Sequence, residues 1–388
     1  MAKKTFPVYL LLLYIVFYSA QAIYGSYLSL YLDGIGFSKT QIGLLTSVST
    51  LAILLSQPAW GYASDRARNR NHVLMLLFAA ACLLILGFYL GTGLIYVLLL
   101  ASVFSVFYNP ISPLMDSLAL ETLQGGPRKF DFGQIRLGGT VGYAVGVLAA
   151  GQLMSNSYQK MFYMMSALFL AGLATMKFLP PTGDARRQAR HSFRALLRDK
   201  KILCFIFMSL IFSLGLTIYY GYYPLYFASI GGNSALVGAL MFATAISEIP
   251  FWFIAGKLLK RFGYGRMMIL SACVAGFRWL ALFFITSPIL AILANMTHGF
   301  SFVTINYSIV TYIDGNIPSD LRATGQTMNN LIATIFSRVI GGALVGFLSD
   351  AFGIDRILLL SCGITFAGAL VFFFWHRAIK DPVPGKAA

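Results

Sequence analysis

The sequence predicts an all-α integral membrane protein with twelve transmembrane helices in two pseudo-symmetric six-helix bundles. Three observations carry that expectation: the composition, the length of the apolar runs and an internal repeat. Of the 388 residues, 58% are hydrophobic and 11% charged, where a soluble domain carries roughly a quarter of charged residues. So few charges cannot build a hydrated surface around such an interior, and the same composition excludes disorder. The balance is basic, with 29 Lys+Arg against 13 Asp+Glu for a net charge of +16. Such an excess points to nucleic acid or to basic loops flanking a membrane, and the position of the charges decides between the two.

Apolar runs predict helices over residues 6–32, 41–64, 73–91, 95–122, 132–156, 159–179, 202–230, 235–259, 267–286, 288–313, 322–349 and 355–375. Each is near or above the ~20 residues that cross ~30 Å of hydrocarbon. A β-barrel needs segments of about ten residues with alternating polarity, whereas the run from Val8 to Phe17 is apolar on all sides. The first span follows Lys3 and Lys4 and contains Ala20-Gln21-Ala22, which imitates a signal-peptidase site. The apolar run continues to Leu32 and the repeat requires the helix, so cleavage is rejected. With the N-terminus in the cytoplasm, 23 of the 29 basic residues fall in inside loops or tails. Lys39, Lys160 and Arg356 fall outside, and Arg136, Arg278 and Arg338 lie within spans. The positive-inside rule then predicts a multi-pass plasma (inner) membrane protein with both termini cytoplasmic, and nucleic acid is not needed as a partner. Cys82, Cys204, Cys273 and Cys362 are scattered one per span without a CxxC pair, so they read as small core residues; no metal or cofactor is expected.

The polar stretch 180–201 separates an N-terminal bundle (1–179) from a C-terminal bundle with a short cytoplasmic tail (202–388). An offset of 195 pairs the halves without a gap: Phe17 with Phe212, Tyr24 with Tyr219, Tyr27 with Tyr222, Tyr31 with Tyr226, Gly36 with Gly231, Gly43 with Gly238, Gly61 with Gly256 and Arg66 with Arg261. Near an offset of 192, Gly133-Gln134 at the start of span five matches Gly325-Gln326 at the start of span eleven. Matched glycines and an arginine at loop positions are hard to produce by apolar composition alone.

The loop after span two, Gly61-Tyr62-Ala63-Ser64-Asp65-Arg66-Ala67-Arg68-Asn69-Arg70, resembles the loop signature of the major facilitator superfamily. That superfamily has two six-helix bundles related along the membrane normal. The resemblance implies a cytoplasmic gate built on Gly61, Asp65, Arg66 and Arg70, with Glu121 close to the same edge. Gly61 is expected to allow close helix approach.

Charges at helix centres are costly and usually functional. Asp116, Glu121, Glu248, Arg136, Arg278 and Arg338 form that set, with His298. Asp116 and Arg136 fall roughly 6–9 Å from the same membrane face at 1.5 Å per residue, so they can meet. Glu248, Arg278 and His298 share the midplane, where transporters of this architecture bind substrate and coupling ions. Pro113-Leu114-Met115-Asp116 and the segment from Phe130 to Gly142 resemble spans four and five of lactose permease and its nucleoside and phenylpropionate relatives. The resemblance implies that Asp116 and Arg136 contact substrate, and that Arg278 and His298 match polar permease residues. Where lactose permease has a proton-bearing glutamate three residues after its histidine, this sequence has Ser301. Glu248 is therefore the expected proton carrier, with Asp116 the second acid.

Tyr24, Tyr219 and Tyr223, in spans that line the cavity in this superfamily, are expected substrate contacts. So are Arg278, His298 and Arg338, Trp252 one turn after Glu248, and the buried amides of Asn109 and Asn306. No enzyme motif such as GxSxG or HExxH occurs. The expected function is a monomeric proton-coupled symporter importing a small aromatic or organic acid, sugar or nucleoside. The alternative is a drug or metabolite antiporter, and the proline-free run Gly138 to Gly146 in span five argues against that.

Overall fold

The computed structural model describes residues 6–124, 132–154, 157–181, 196–318 and 321–379. Most of the interbundle linker lies outside this set, as do the side chains of Asp65 and Tyr219. All regular structure among the described residues is helical. Among the described residues, ten helices are long and apolar enough to cross a membrane. Spans one, two and three are Phe6–Gly34, Lys39–Arg66 and Arg70–Leu86, the last extended by a 3₁₀ turn to Tyr89. Span four consists of Leu94–Tyr108 and Ile111–Gln124. Span five, Phe132–Leu153, is glycine-rich, and span six, Lys160–Met176, is the shortest. Spans seven, eight and nine are Lys200–Ser229, Ser234–Phe262 and Tyr264–Phe284. Span ten is divided into Pro288–Asn295 and His298–Asn316. Span eleven runs Arg322–Asn329, then a π-helical stretch Asn330–Phe336, then Ser337–Phe352. Span twelve is Ile354–Ile379.

Several helices outrun their expected ends because polar residues cap them. Span two starts at Lys39 with a capping box: the Gln41 amide donates to Ser38 Oγ at 3.2 Å and the Ser38 amide to Gln41 Oε1 at 3.0 Å. Span seven starts at Lys200 because the Asp199 carboxylate accepts from the amides of Lys201 and Ile202.

The internal repeat extends to individual hydrogen bonds. Spans one and seven both end on a glycine of positive φ, Gly36 at 92° and Gly231 at 93°, a conformation that side-chain-bearing residues avoid. The Phe37 amide donates to Leu32 O at 3.0 Å, and 195 residues on the Gly232 amide donates to Phe227 O at 2.9 Å. The Tyr27 hydroxyl donates to Val147 O at 3.2 Å; its counterpart Tyr222 donates to Gly342 O at 2.8 Å. Tyr31 and Tyr226 likewise tie spans one and seven to the ends of spans three and nine.

Two compact units result. The first holds spans one to six together with residues 233–242, and the second holds the rest of the C-terminal half. The start of span eight joins the first unit because Gly151 and Gly238 let backbones touch: a Cβ on Gly238 would lie 2.8 Å from Val147 O. The Tyr27 hydroxyl also reaches Ser234 O at 3.1 Å.

Within the first unit, span five lies directly on span one. A Cβ on Gly142 would collide with the backbone of Ile15, and one on Gly146 would come within 2.6 Å of Ser19 Cβ. The Ser19 hydroxyl donates to Gly142 O at 2.8 Å. With no hydrophobic driving force between helices in lipid, such close approach supplies the packing energy. Gly61, expected to serve close approach, does not: nothing lies within 4 Å of where its Cβ would stand. It borders a cavity of about 220 Å³ with Gln57, Pro110, Pro113 and Leu114. Gly142→Ala should therefore cost about 1–3 kcal/mol of stability by overpacking and lower the thermal unfolding midpoint in detergent. Gly61→Ala should leave that midpoint unchanged.

Candidate functional site

In the first unit the acid and the arginine of spans four and five are joined through phenols. Span four breaks at Asn109-Pro110, where proline lacks an amide hydrogen. Asp116 lies on the second segment. The Tyr14 hydroxyl donates to Asp116 Oδ1 at 2.6 Å, and one turn later Tyr18 shares a 2.9 Å hydrogen bond with Ser112 Oγ. The two rings stack at 5.9 Å, and the Arg136 guanidinium lies over Tyr18, 4.3 Å from the ring centre. Gly139 makes room for this, because a Cβ there would meet both Tyr18 and Arg136 Nη1 below 3 Å. The direct Asp116–Arg136 pair expected from depth is corrected: span one inserts two tyrosines between them.

Of the expected gate residues, Arg70 and Glu121 are brought together. Arg70 Nη1 donates to Glu121 Oε2 and to Ser117 Oγ, each at 3.1 Å, with both side chains largely shielded from solvent. Arg66 is exposed and lies over the ring of Tyr62 on its own helix at 4.2 Å. The Asp65 side chain falls outside the described residues. Tyr24 is half-buried against Phe104 and Tyr108. The Asn109 side-chain amide donates to Ser105 O at 3.2 Å, one turn back on its own helix.

In the second unit, the break in span ten at Met296-Thr297 sets His298 at the start of a new helical segment. Span eight meets it backbone to backbone. The Gly299 amide donates to Ser247 Oγ at 3.1 Å, and a Cβ on Gly299 would collide with Ser247 O. Asn295 Nδ2 donates to Thr244 Oγ1 at 2.6 Å one turn away. This clamp holds Glu248 beside His298, with Oε1 3.7 Å from Nε2. His298 is fully enclosed, while the Glu248 side chain keeps 23% exposure.

Arg278 is buried, lies 4.7 Å from the Trp279 ring centre and donates to Ser301 Oγ at 3.4 Å. The residue that replaces the permease glutamate thus contacts the arginine. Trp252 is half-exposed one turn beyond Glu248. Arg338 is exposed, just after the π-helical stretch. Tyr223 is wholly buried, packed on Tyr226 and Phe227, and the Asn306 amide is taken by Phe302 O at 2.8 Å. The Tyr219 side chain is not among those described.

Sequence reading missed Tyr14, Tyr18, Ser112, Ser247 and Gly299. Tyr14 and Tyr18 stand four residues apart in an apolar helix, a polar stripe that could have been noticed. Ser247 and Gly299 gain meaning only when their helices touch.

Ionisable clusters at depth in two repeat-related helical units define a membrane transport protein, not an enzyme. Residues 8–359 match the MFS_1 like family, and the chain belongs to that family. It is similar to the maltose permease of Geobacillus stearothermophilus, 27% identical over 382 residues that cover 95% of this chain and 94% of the permease. It is also similar to the Escherichia coli (strain K12) protein named "Probable 3-phenylpropionic acid transporter", 24% identical over 348 residues and covering 88% and 90% of the two chains. The crystal structure of nucleoside transporter NupG has the same fold, with a TM-score of 0.86, 19% identity and coverage of 96% of this chain and 99% of that one.

A hydrogen bond to a charged carboxylate contributes about 1.5–3 kcal/mol. A double-mutant cycle of Tyr14→Phe and Asp116→Ala, read by thermal unfolding, should show coupling of that order. Additive effects would mean that the Tyr14–Asp116 bond contributes nothing.

Proposed function

We propose that the protein is a monomeric proton-coupled symporter that imports a small organic solute, an aromatic or organic acid, sugar or nucleoside, by alternating access. Its seat is the plasma (inner) membrane, with both termini cytoplasmic as the basic loops dictate. The observation that carries the reading is the Glu248–His298 contact beside the buried Arg278. A carboxyl at this depth is costly as an isolated ion, and its charge is worth keeping only where partners or protons compensate it. When Glu248 takes up a proton it loses its negative charge, and its hydroxyl becomes a donor that the neighbouring His298 ring can accept. Protonation therefore changes the preferred spacing of spans eight, nine and ten, the helices whose rearrangement the reading assigns to the transport cycle. Asp116, held by Tyr14, and Arg136, lying on Tyr18, form the polar face that the first unit offers to a solute. The names borne by similar proteins, a maltose permease and a probable 3-phenylpropionic acid transporter, support a small organic solute as the cargo.

The test uses the full chain in proteoliposomes with an imposed inward proton gradient and labelled sugars, nucleosides and aromatic acids. Wild type should accumulate at least one solute. Glu248→Gln should abolish accumulation while leaving solute exchange across the membrane. Accumulation that survives the substitution, or proton-driven efflux in place of uptake, would contradict the proposal.

A further inference from the structure

We propose that Arg338 recognises a carboxylate on the transported solute, so that the substrate class is a small organic anion, and that the π-helical stretch before Arg338 directs it. The inference rests on the symporter reading and deepens it.

Arg338 lies deep. The membrane-length helix of span eleven runs Thr324–Phe352, which sets Arg338 fourteen residues from either end. At 1.5 Å per residue that is about 21 Å from each surface, farther than a snorkelling side chain can reach. Yet Arg338 is exposed.

It also stands on the side of its helix that faces protein. Ile340, Leu344 and Phe347 are large exposed apolar residues at helical spacing, the stripe that meets lipid. At roughly 100° per residue Arg338 stands about 180–240° from all three. Its own face continues through Gly341, Gly342 and Val345, all buried, and a Cβ on Gly341 would stand 3.2 Å from Thr217 of span seven. An arginine exposed at mid-depth on the protein-facing side is costly in hydrocarbon and is accommodated where water reaches it.

The register of the repeat changes just before it. The hydrogen bonds of Tyr27 to Val147 and of Tyr222 to Gly342 fix the repeat at an offset of 195 in the middle of spans five and eleven. At the starts of the same spans, Gly133 and Gly325 fix it at 192. From Gly325 to Gly342 is 17 residues and from Gly133 to Val147 is 14, so span eleven carries three more. The π-helical residues Asn330–Phe336 fall inside this longer interval, whereas span five is α-helical throughout. Wider π turns accommodate inserted residues and re-aim the helix beyond them, and such stretches gather at functional sites. At an offset of 195 the counterpart of Arg338 in the first unit is Tyr143, so the cation is not a product of the repeat.

A guanidinium presents a planar fork of donors that matches a carboxylate with two parallel hydrogen bonds. In a water-filled space with low-dielectric walls its field also concentrates anions.

Equilibrium binding to the purified full chain in detergent tests the inference, using acetate, benzoate and 3-phenylpropionate beside their uncharged amides, with maltose and adenosine as neutral solutes. At least one carboxylate should bind ten-fold or more tightly than its amide and than either neutral solute. Arg338→Gln should erase that preference, and Arg338→Lys, which keeps the charge but not the fork, should retain it in part. Should Arg338→Gln fail to fold, Arg338→Lys must still weaken the carboxylate at least three-fold without changing the amide. Equal binding of acids and amides, tighter binding of maltose or adenosine, or a preference unchanged in both variants would overturn the assignment. Proton-driven uptake of a neutral solute by Arg338→Gln would overturn the anion class while leaving the symporter standing. Carboxylate binding that depends on Arg338, without proton-driven accumulation, would do the reverse.

Discussion

A helix in hydrocarbon has no water to satisfy a backbone group that its own turns leave free. A departure from regular α-helix therefore calls for a partner, and at span ten that partner organises the candidate site. At the break in span four, both the amide and the side chain of Asn109 bond to Ser105 O. At the break in span ten, Thr297 Oγ1 returns to Ala294 O and the freed Gly299 amide is taken by Ser247 Oγ of span eight. The second repair ties two spans together one residue from each member of the Glu248–His298 pair. The irregular helix and the ionisable pair are thus one construction.

Phenols and small residues moderate the remaining charges. A directly opposed acid and arginine inside a bilayer lose in desolvation much of what they gain in attraction. The first unit avoids that contact: Asp116 accepts from Tyr14 and Arg136 spreads over the face of Tyr18. In the second unit Arg278 rests on Trp279 and reaches the neutral Ser301. Charges held this way keep their polarity without being locked to one another, which suits groups that must change partners during a transport cycle.

The architecture was readable in the sequence because it depends on long apolar runs and on repetition. The 195-residue offset that matches Tyr27 with Tyr222 and Gly36 with Gly231 reappears as matched hydrogen bonds and matched positive-φ glycines. Depth along a helix was also readable, which is why Arg70 meets Glu121 and Glu248 meets His298. Azimuth was not. Residue counting gives height in the membrane but not the direction in which a side chain points, so the tyrosines between Asp116 and Arg136 went unseen. For the same reason the bonds that Asn109 and Asn306 donate to their own helices went unseen. The break at Met296-Thr297 contains neither proline nor glycine, and its stabilising partner lies some fifty residues earlier in the chain. Close helix approach was assigned to Gly61, but it belongs to Gly142 and Gly146, where composition alone showed only a glycine-rich run.

In the proposed cycle, proton movement and solute movement are one event. The most direct measurement loads proteoliposomes with a pH-sensitive dye, imposes no gradient, and adds a transported solute from outside. Solute entry should acidify the lumen, with protons entering in fixed proportion to solute. Solute entry with no change in luminal pH, or with alkalinisation, would contradict the coupling.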